Sequence, residues 1–201
     1  MDASPRLRTQ NLHSRLAGPF DVTVPAGACL AVTGASGSGK SLFLRMIVDL
    51  DPNEGEVWLD GRPRSSFDAP AWRREVAYAP AESGWWSDAV ADHFPDLPAA
   101  RAFAERLGLK PGLLEGPVLR LSTGEKQRLA LARMLLRPAP VLLLDEPTGP
   151  LDEESVGRAE TLIRERLAAG TTIVMVTHDP AQAERMGSQH LVMRAGKLGP
   201  P

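Results

Sequence analysis

The sequence predicts an α/β chain: a parallel sheet flanked by helices, an antiparallel β part near the N-terminus, and a helical insert in the middle. Three observations carry this expectation. Short apolar runs of strand length recur at 20–24, 29–33, 56–59, 76–79, 141–144, 172–176 and 189–193. Between the later runs, Leu, Ile and Val return at spacings of three and four, most clearly over 40–48 and 152–169, which is the period of a helix with one buried face. Turn formers, Pro25-Ala26-Gly27 and Asp60-Gly61, separate the earlier runs. Strand alternating with helix builds a parallel sheet, whereas strands joined by short turns form antiparallel pairs.

The middle of the chain reads differently. From residue 81 to 119 prolines recur and no convincing strand appears. A short amphipathic helix is expected over 99–107, ending at Gly108, and a longer one over 123–137, stopped by Pro138 and Pro140, because proline cannot continue a helix interior. The whole chain, 1–201, is therefore read as one domain, with residues 1–80 and 138–201 as the α/β core with its antiparallel part and about 82–137 as the helical insert.

Composition narrows the function. The 201 residues are 43% hydrophobic and 24% charged, the proportions of a folded globular chain and not of a disordered one. Twenty-three basic and twenty-five acidic residues give a net charge of −2, so no nucleic-acid partner is indicated. The single cysteine, Cys29, excludes an internal disulfide and a cysteine-built zinc site. Met1 to Arg6 hold no apolar stretch of the kind a secretory leader needs, and the runs at 141–144 and 173–176 are too short to span a bilayer. A membrane role would need a second chain to supply the spanning part.

The most informative stretch is Gly34-Ala35-Ser36-Gly37-Ser38-Gly39-Lys40-Ser41. It matches the G-x-x-x-x-G-K-[ST] phosphate loop in full, between an apolar strand and a helix pattern. Glycines let successive backbone N–H groups converge on phosphate oxygens without Cβ clashes. The following helix turns its positive end toward the same oxygens. Lys40, one of only four lysines, adds a charge at the β/γ positions, and Ser41 offers a hydroxyl to Mg²⁺. At the other candidate end, Val141-Leu142-Leu143-Leu144-Asp145-Glu146 is an apolar strand ending in two carboxylates. Such a strand is buried on both faces and opens at the carboxyl edge, where α/β sheets bind ligands. Adjacent strand residues point to opposite sides, so the two acids should divide the work: Asp145 on Mg²⁺, Glu146 polarising a water as general base.

Further motifs bring a resemblance. Leu121-Ser122-Thr123-Gly124-Glu125-Lys126-Gln127-Arg128, with Ser122 23 residues ahead of Asp145, is similar to the signature segment, commonly LSGGQ, of the ATP-binding cassette (ABC) ATPases. Pro147-Thr148 after the carboxylates resembles that family's second nucleotide motif. Gly149-Pro150-Leu151-Asp152 resembles its D-loop, and Val176-Thr177-His178-Asp179 its switch-histidine loop. The order of the motifs is also the family's. The resemblance implies a P-loop NTPase fold with a RecA-like parallel core, and an ATP-binding, Mg²⁺-dependent ATPase subunit that drives a separate transmembrane subunit from the cytoplasmic face of the membrane.

For individual residues the resemblance implies that Gly34, Ala35, Ser36, Gly37, Ser38, Gly39, Lys40, Ser41 and Leu42 hold the nucleotide and that Ser41 and Asp145 hold the metal. Lys40, Glu146 and His178 would carry catalysis, His178 by contacting the γ-phosphate. Ser122 and Gly124, at a helix start that also reads as a plain cap, would face the triphosphate of a second copy. The dimer is then head to tail, with two sites in one two-fold interface. Asp152 is read either as reaching across that dimer or as a helix cap. A soluble or weakly hydrolysing ATP-gated module, acting as a regulator outside transport, is the alternative.

The chain departs from the family pattern in places. Ala81 stands where a glutamine is expected, and Glu82 follows it. The usual adenine-stacking tyrosine is missing, leaving His13 or Arg15 as candidates. Leu42 replaces a common threonine. Trp85 and Trp86 are read either as contacts for the transmembrane partner or as packing within the insert. Cys29 is read as a core strand residue, and His93 and His190 as lacking ligand-spaced partners. The chain stops soon after Met193-Arg194-Ala195-Gly196-Lys197-Leu198, which gives the expectation of no C-terminal regulatory domain.

Overall fold

A computed structural model describes residues 5–201. The reading of the first residues as free of an apolar leader falls mainly on 1–4, outside the described residues. The larger of two sheets has six strands. At its centre β3 (Cys29–Thr33) lies between β9 (Gln189–Arg194) and β8 (Thr172–Val176). Next come β7 (Val141–Asp145) and β6 (Val76–Ala79), all parallel. At the far edge β10 (Lys197–Gly199) runs antiparallel to β9.

The central strands are buried along their whole length because alternate residues enter two different apolar clusters. Leu30, Val32, Val141, Leu143, Val174 and Val176 face one side, with α1 (Lys40–Ile47) and its Phe43, Leu44 and Ile47. Cys29, Ala31, Leu142, Leu144, Ile173 and Met175 face the other, as the period-two geometry of a strand requires. Burial of the Cys29 thiol pushes its pKa up to about 12.

The smaller sheet is antiparallel and covers the α1 side. Its order is β2 (Thr23–Pro25), β1 (Pro5–His13), β4 (Glu54–Leu59), β5 (Arg62–Pro63). Asp60 and Gly61 make the expected tight turn between β4 and β5, with φ of 47° and 78°; both positive values suit a two-residue hairpin. The Pro25-Ala26-Gly27 turn instead carries the chain from one sheet into the other. The strand expected over 20–24 survives only as a bridge at Phe20 and as β2. At the break the Thr9 hydroxyl donates to Phe20 O at 2.8 Å and accepts from Val22 N at 3.0 Å, while Thr9 N donates to Val22 O, so a side chain supplies part of the pairing there.

Three expected helices cover the opposite face of the large sheet: α3 (Leu97–Arg106), α4 (Thr123–Leu135) and α5 (Glu153–Ala168). Two short helices lie outside the helical patterns of the sequence. α2 (Ala69–Glu75) starts at Asp68, whose carboxylate accepts from Ala71 N at 2.6 Å. α6 (Pro180–Met186) starts at Asp179, which accepts from Ala181 N at 2.9 Å. Each cap is followed within two residues by proline, the start signal these segments carry in the sequence. Among the described residues, no helix is long and apolar enough to cross a membrane.

Candidate functional site

The site forms where β3 and β7 end at the same edge of the large sheet. After Thr33 the chain turns through Gly34, at φ 147°. A Cβ there would lie 2.4 Å from Met193 O, so only glycine fits. The loop then closes on Gly39, at φ 108°, which starts α1. Lys40, the first residue of α1, is 8% exposed. Its ammonium donates to Gly34 O at 2.7 Å and Ala35 O at 3.0 Å, so two of its three hydrogens brace the loop from within. Ser38 Oγ is buried without a partner among the described residues.

A cleft of about 900 Å³ opens over this loop. Ser36, Gly37, Ser38, Gly39, Lys40, Ser41 and Leu42 form its floor, and Ala81, Asp145, Glu146, Gly149 and His178 form its far wall. Gly34 and Ala35 sit behind the floor, with their carbonyls turned onto Lys40. The structure thus gathers most of the residues read from separate motifs into one concave surface.

The two carboxylates correct one expectation. Glu146 does not continue the strand: it is a non-glycine residue at φ 47°, a sparsely occupied region. This bend lets both acids line the cleft instead of pointing to opposite sides. Their partners still differ. Asp145 is 3% exposed, and its Oδ2 accepts from the Tyr78 hydroxyl at 3.0 Å. Burial and the neighbouring Asp145 charge push the Tyr78 pKa well up, so Tyr78 stays protonated and keeps donating. Asp145 Oδ1 is buried with no partner among the described residues. Glu146 Oε2 accepts from His178, from the ring Nδ1 at 2.7 Å and the backbone N–H at 3.2 Å.

Ser122 and Gly124 do not line this cleft; they start α4 elsewhere on the chain. Ser122 is the cap of α4 in a reciprocal box: its hydroxyl meets Glu125 N at 3.3 Å, and Glu125 Oε2 accepts from Ser122 N at 2.8 Å. These bonds hold the Glu125 carboxyl below the usual range. Asp152 is likewise the cap of α5, accepting from Ser155 N at 2.9 Å. Trp85 and Trp86 part company: Trp85 packs against the core, while Trp86 is 69% exposed. The Arg133 guanidinium covers both rings at 5.1 and 4.8 Å. Buried His93 accepts from Trp86 N and Ser87 N through Nε2, at 3.0 and 3.3 Å.

Three lining residues, Leu16, Ala195 and Gly196, escaped the sequence reading. Leu16, 81% exposed, borders the cleft and also an adjoining groove that holds His13 and Arg15. The adjoining groove, and not the cleft itself, is where the two candidates for stacking lie. Position alone singles Leu16 out, since an exposed leucine has no local sequence signal.

A glycine-lined loop braced by a lysine, opposed by two carboxylates at a parallel sheet edge, defines a phosphate-loop nucleotide-binding domain. The chain belongs to the ABC transporter family, whose model matches residues 18–149. It is 34% identical to Protein STAR1 of Oryza sativa subsp. japonica, over 98% of this chain and 62% of that one. It is 37% identical to the hemin import ATP-binding protein HmuV of Streptomyces coelicolor, over 90% of this chain and 71% of that one. Against an ATP-dependent lipid A-core flippase of Burkholderia orbicola, identity is 33% over 87% of this chain and 32% of the relative. The chain thus spans less than two thirds of STAR1 and about one third of the flippase. In fold it is similar to a bacterial Atm1-family ABC exporter with ATP bound, with a TM-score of 0.87 at 24% identity over 98% of this chain and 38% of that one. It is also similar to the ATP-binding cassette MJ0796, in a dimeric post-hydrolysis state bound to ADP and Pi, with a TM-score of 0.83 at 22% identity over 96% of each chain.

Proposed function

We propose that this chain binds and hydrolyses ATP with Mg²⁺ and drives transport through a separate transmembrane subunit. The observation that carries the reading is the facing of the Lys40-braced loop and the Asp145–Glu146 pair across one cleft. Relatives named for import and for export support the transport part.

The donor set suits a magnesium nucleotide. Asp145 Oδ1, buried and unpartnered, is an acceptor in want of a positive charge. Among the described residues, no group of three or more His, Cys, Asp or Glu is set to hold a metal alone. Asp145 and the Ser41 hydroxyl would therefore share the ion with phosphate and water, as Mg²⁺ permits. Bound there, the ion supplies charge neutralisation on the phosphates. The loop N–H groups and Lys40 orient the β- and γ-phosphates. Glu146 takes a proton from the attacking water, and His178 holds the Glu146 carboxylate and faces the terminal phosphate.

Closure would join two copies head to tail, Ser122 and Gly124 of each meeting the triphosphate on the other. The helical part, about 82–137, acts as a unit in this motion, and the chain works on the inner face of the membrane. Trp86 is the contact offered to the transmembrane subunit. Beside it, Trp85 Nε1 and Arg133 Nη1 are buried donors without partners among the described residues, and burial, with Arg137 nearby, draws the Arg133 pKa down. A partner acceptor placed here would satisfy both. The test is Mg²⁺-dependent ATP turnover by the purified chain, and capture of a membrane protein by Glu146→Gln with ATP but not by the same variant carrying Trp86→Ala. Absence of turnover at any concentration of the chain contradicts the first part. Equal capture contradicts the second.

A further inference from the structure

Gln127 lies on α4 and is 8% exposed. Its side-chain amide reaches out of the helix and donates to two successive carbonyls, Glu146 O at 3.2 Å and Pro147 O at 3.1 Å. Those carbonyls flank the bend at which Glu146 leaves β7 in its left-handed conformation. Main-chain bonds also hold the bend, Glu146 N donating to Val176 O at 2.9 Å and Gly149 N to Glu146 O at 3.2 Å, and Gln182 holds the Thr148 hydroxyl two residues further on. The amide of Gln127 thus bonds directly to the backbone carbonyls from which the Glu146 carboxylate projects, whereas Gln182 and His178 bond to side chains of the segment. A strained conformation persists only where its surroundings over-determine it.

We propose that Gln127 is a positioning residue for Glu146 and that, through α4, it makes the placement of that carboxylate answer to whatever docks at the start of the helix. The inference rests on the dimeric ATPase reading. Ser122 caps the helix five residues before Gln127, and one continuous helix carries both. In a head-to-tail pair the phosphate docked at Ser122 belongs to the partner's cleft. Glu146, however, serves the cleft of its own chain. A shift of α4 on docking therefore reaches the opposite site, and each cleft sets the geometry of the other.

The test compares three proteins for ATP turnover, KM, Hill coefficient and Tm. Gln127→Met keeps the volume and removes the donor. Gln127→Lys puts a donor back within reach of the two carbonyls. The expected result for Gln127→Met is a kcat lowered about 10-fold or more with KM within about 2-fold, since misplacement of a reacting group acts on the transition state alone. Its Hill coefficient falls to about 1, and Gln127→Lys recovers most of the kcat. An unchanged kcat in Gln127→Met, or a loss that lysine leaves in place with a lowered Tm, overturns the positioning role. A slow Gln127→Met that keeps the wild-type Hill coefficient overturns the coupling. A wild-type chain without turnover sinks the ATPase reading and this inference together.

Discussion

His178 Nδ1 lies 2.7 Å from Glu146 Oε2, and the His178 backbone N–H meets the same oxygen at 3.2 Å. A carboxylate oxygen only accepts, so Nδ1 carries the hydrogen and the ring presents Nε2 elsewhere. Two donors on one oxygen leave Oε1 as the free proton acceptor of Glu146. Removing the ring frees the carboxylate to rotate. His178→Ala is expected to lower kcat about 100-fold, within the range for loss of a positioned acid–base group, with little change in nucleotide affinity. Steady-state turnover alongside an equilibrium Kd checks this, and equal kcat values refute the role.

Lys40 braces the phosphate loop through Gly34 O and Ala35 O. Lys40→Ala removes a charge from the triphosphate and two donors from the loop. Charged hydrogen bonds contribute about 1.5–3 kcal/mol each, so ATP affinity should drop about 100-fold. Titration calorimetry of wild type and variant decides it.

These two sites were legible in the sequence because the information is local. The phosphate loop is eight consecutive residues, and the β7 run marks its own burial on both faces. What escaped was set by distant contacts. β1 has no clear sequence signal, because only Leu7, Thr9 and Leu12 are buried, among exposed or half-buried residues, too few to show alternation. Nothing local announces a left-handed glutamate at 146; the carbonyl there is bonded by Gln127, 19 positions earlier. The sequence shows the two tryptophans only as neighbours; His93 and Arg133 lie against both rings, yet Trp85 packs against the core while Trp86 stays exposed.

Leu16 gives a prediction about the base end of the nucleotide. Its loop is fixed: Ser14 N donates to Ala17 O at 2.9 Å and Gly18 N to Gly196 O at 2.8 Å. The side chain stands on the rim of the cleft with no neighbour to displace. Leu16→Tyr would place an aromatic face there. Stacking of a base on an aromatic ring contributes about 1–3 kcal/mol, so ATP should bind at least about 5-fold more tightly. A fluorescent nucleotide displaced by ATP measures the change, and an unaltered Kd would move the base away from Leu16.

The Glu160 carboxylate ties the back of the site together and should set the acid limit of stability. It is 4% exposed on α5. It accepts from Arg185 Nη2 at 2.8 Å, Arg164 Nη2 at 3.0 Å and Gln182 Nε2 at 3.3 Å. Gln182 Nε2 also donates to Thr148 Oγ1 at 2.8 Å, two residues beyond Glu146. Burial pushes the Glu160 pKa up, but the bonds from Arg185, Gln182 and Arg164 outweigh it and hold the carboxyl below the ordinary range. A folded-state pKa below the unfolded value of about 4.3 means the stabilisation is full above that value and is lost as pH falls through the folded one. Glu160→Gln removes the charge at every pH. It is expected to cost about 2 kcal/mol at pH 7, the contribution of a charged hydrogen bond. The cost should shrink steadily below about pH 4.3 as the wild-type carboxylate protonates. Urea denaturation of both proteins from pH 7 down to pH 3 reads the difference directly; a constant gap across that range would mean that Glu160 acts through packing and not through its charge.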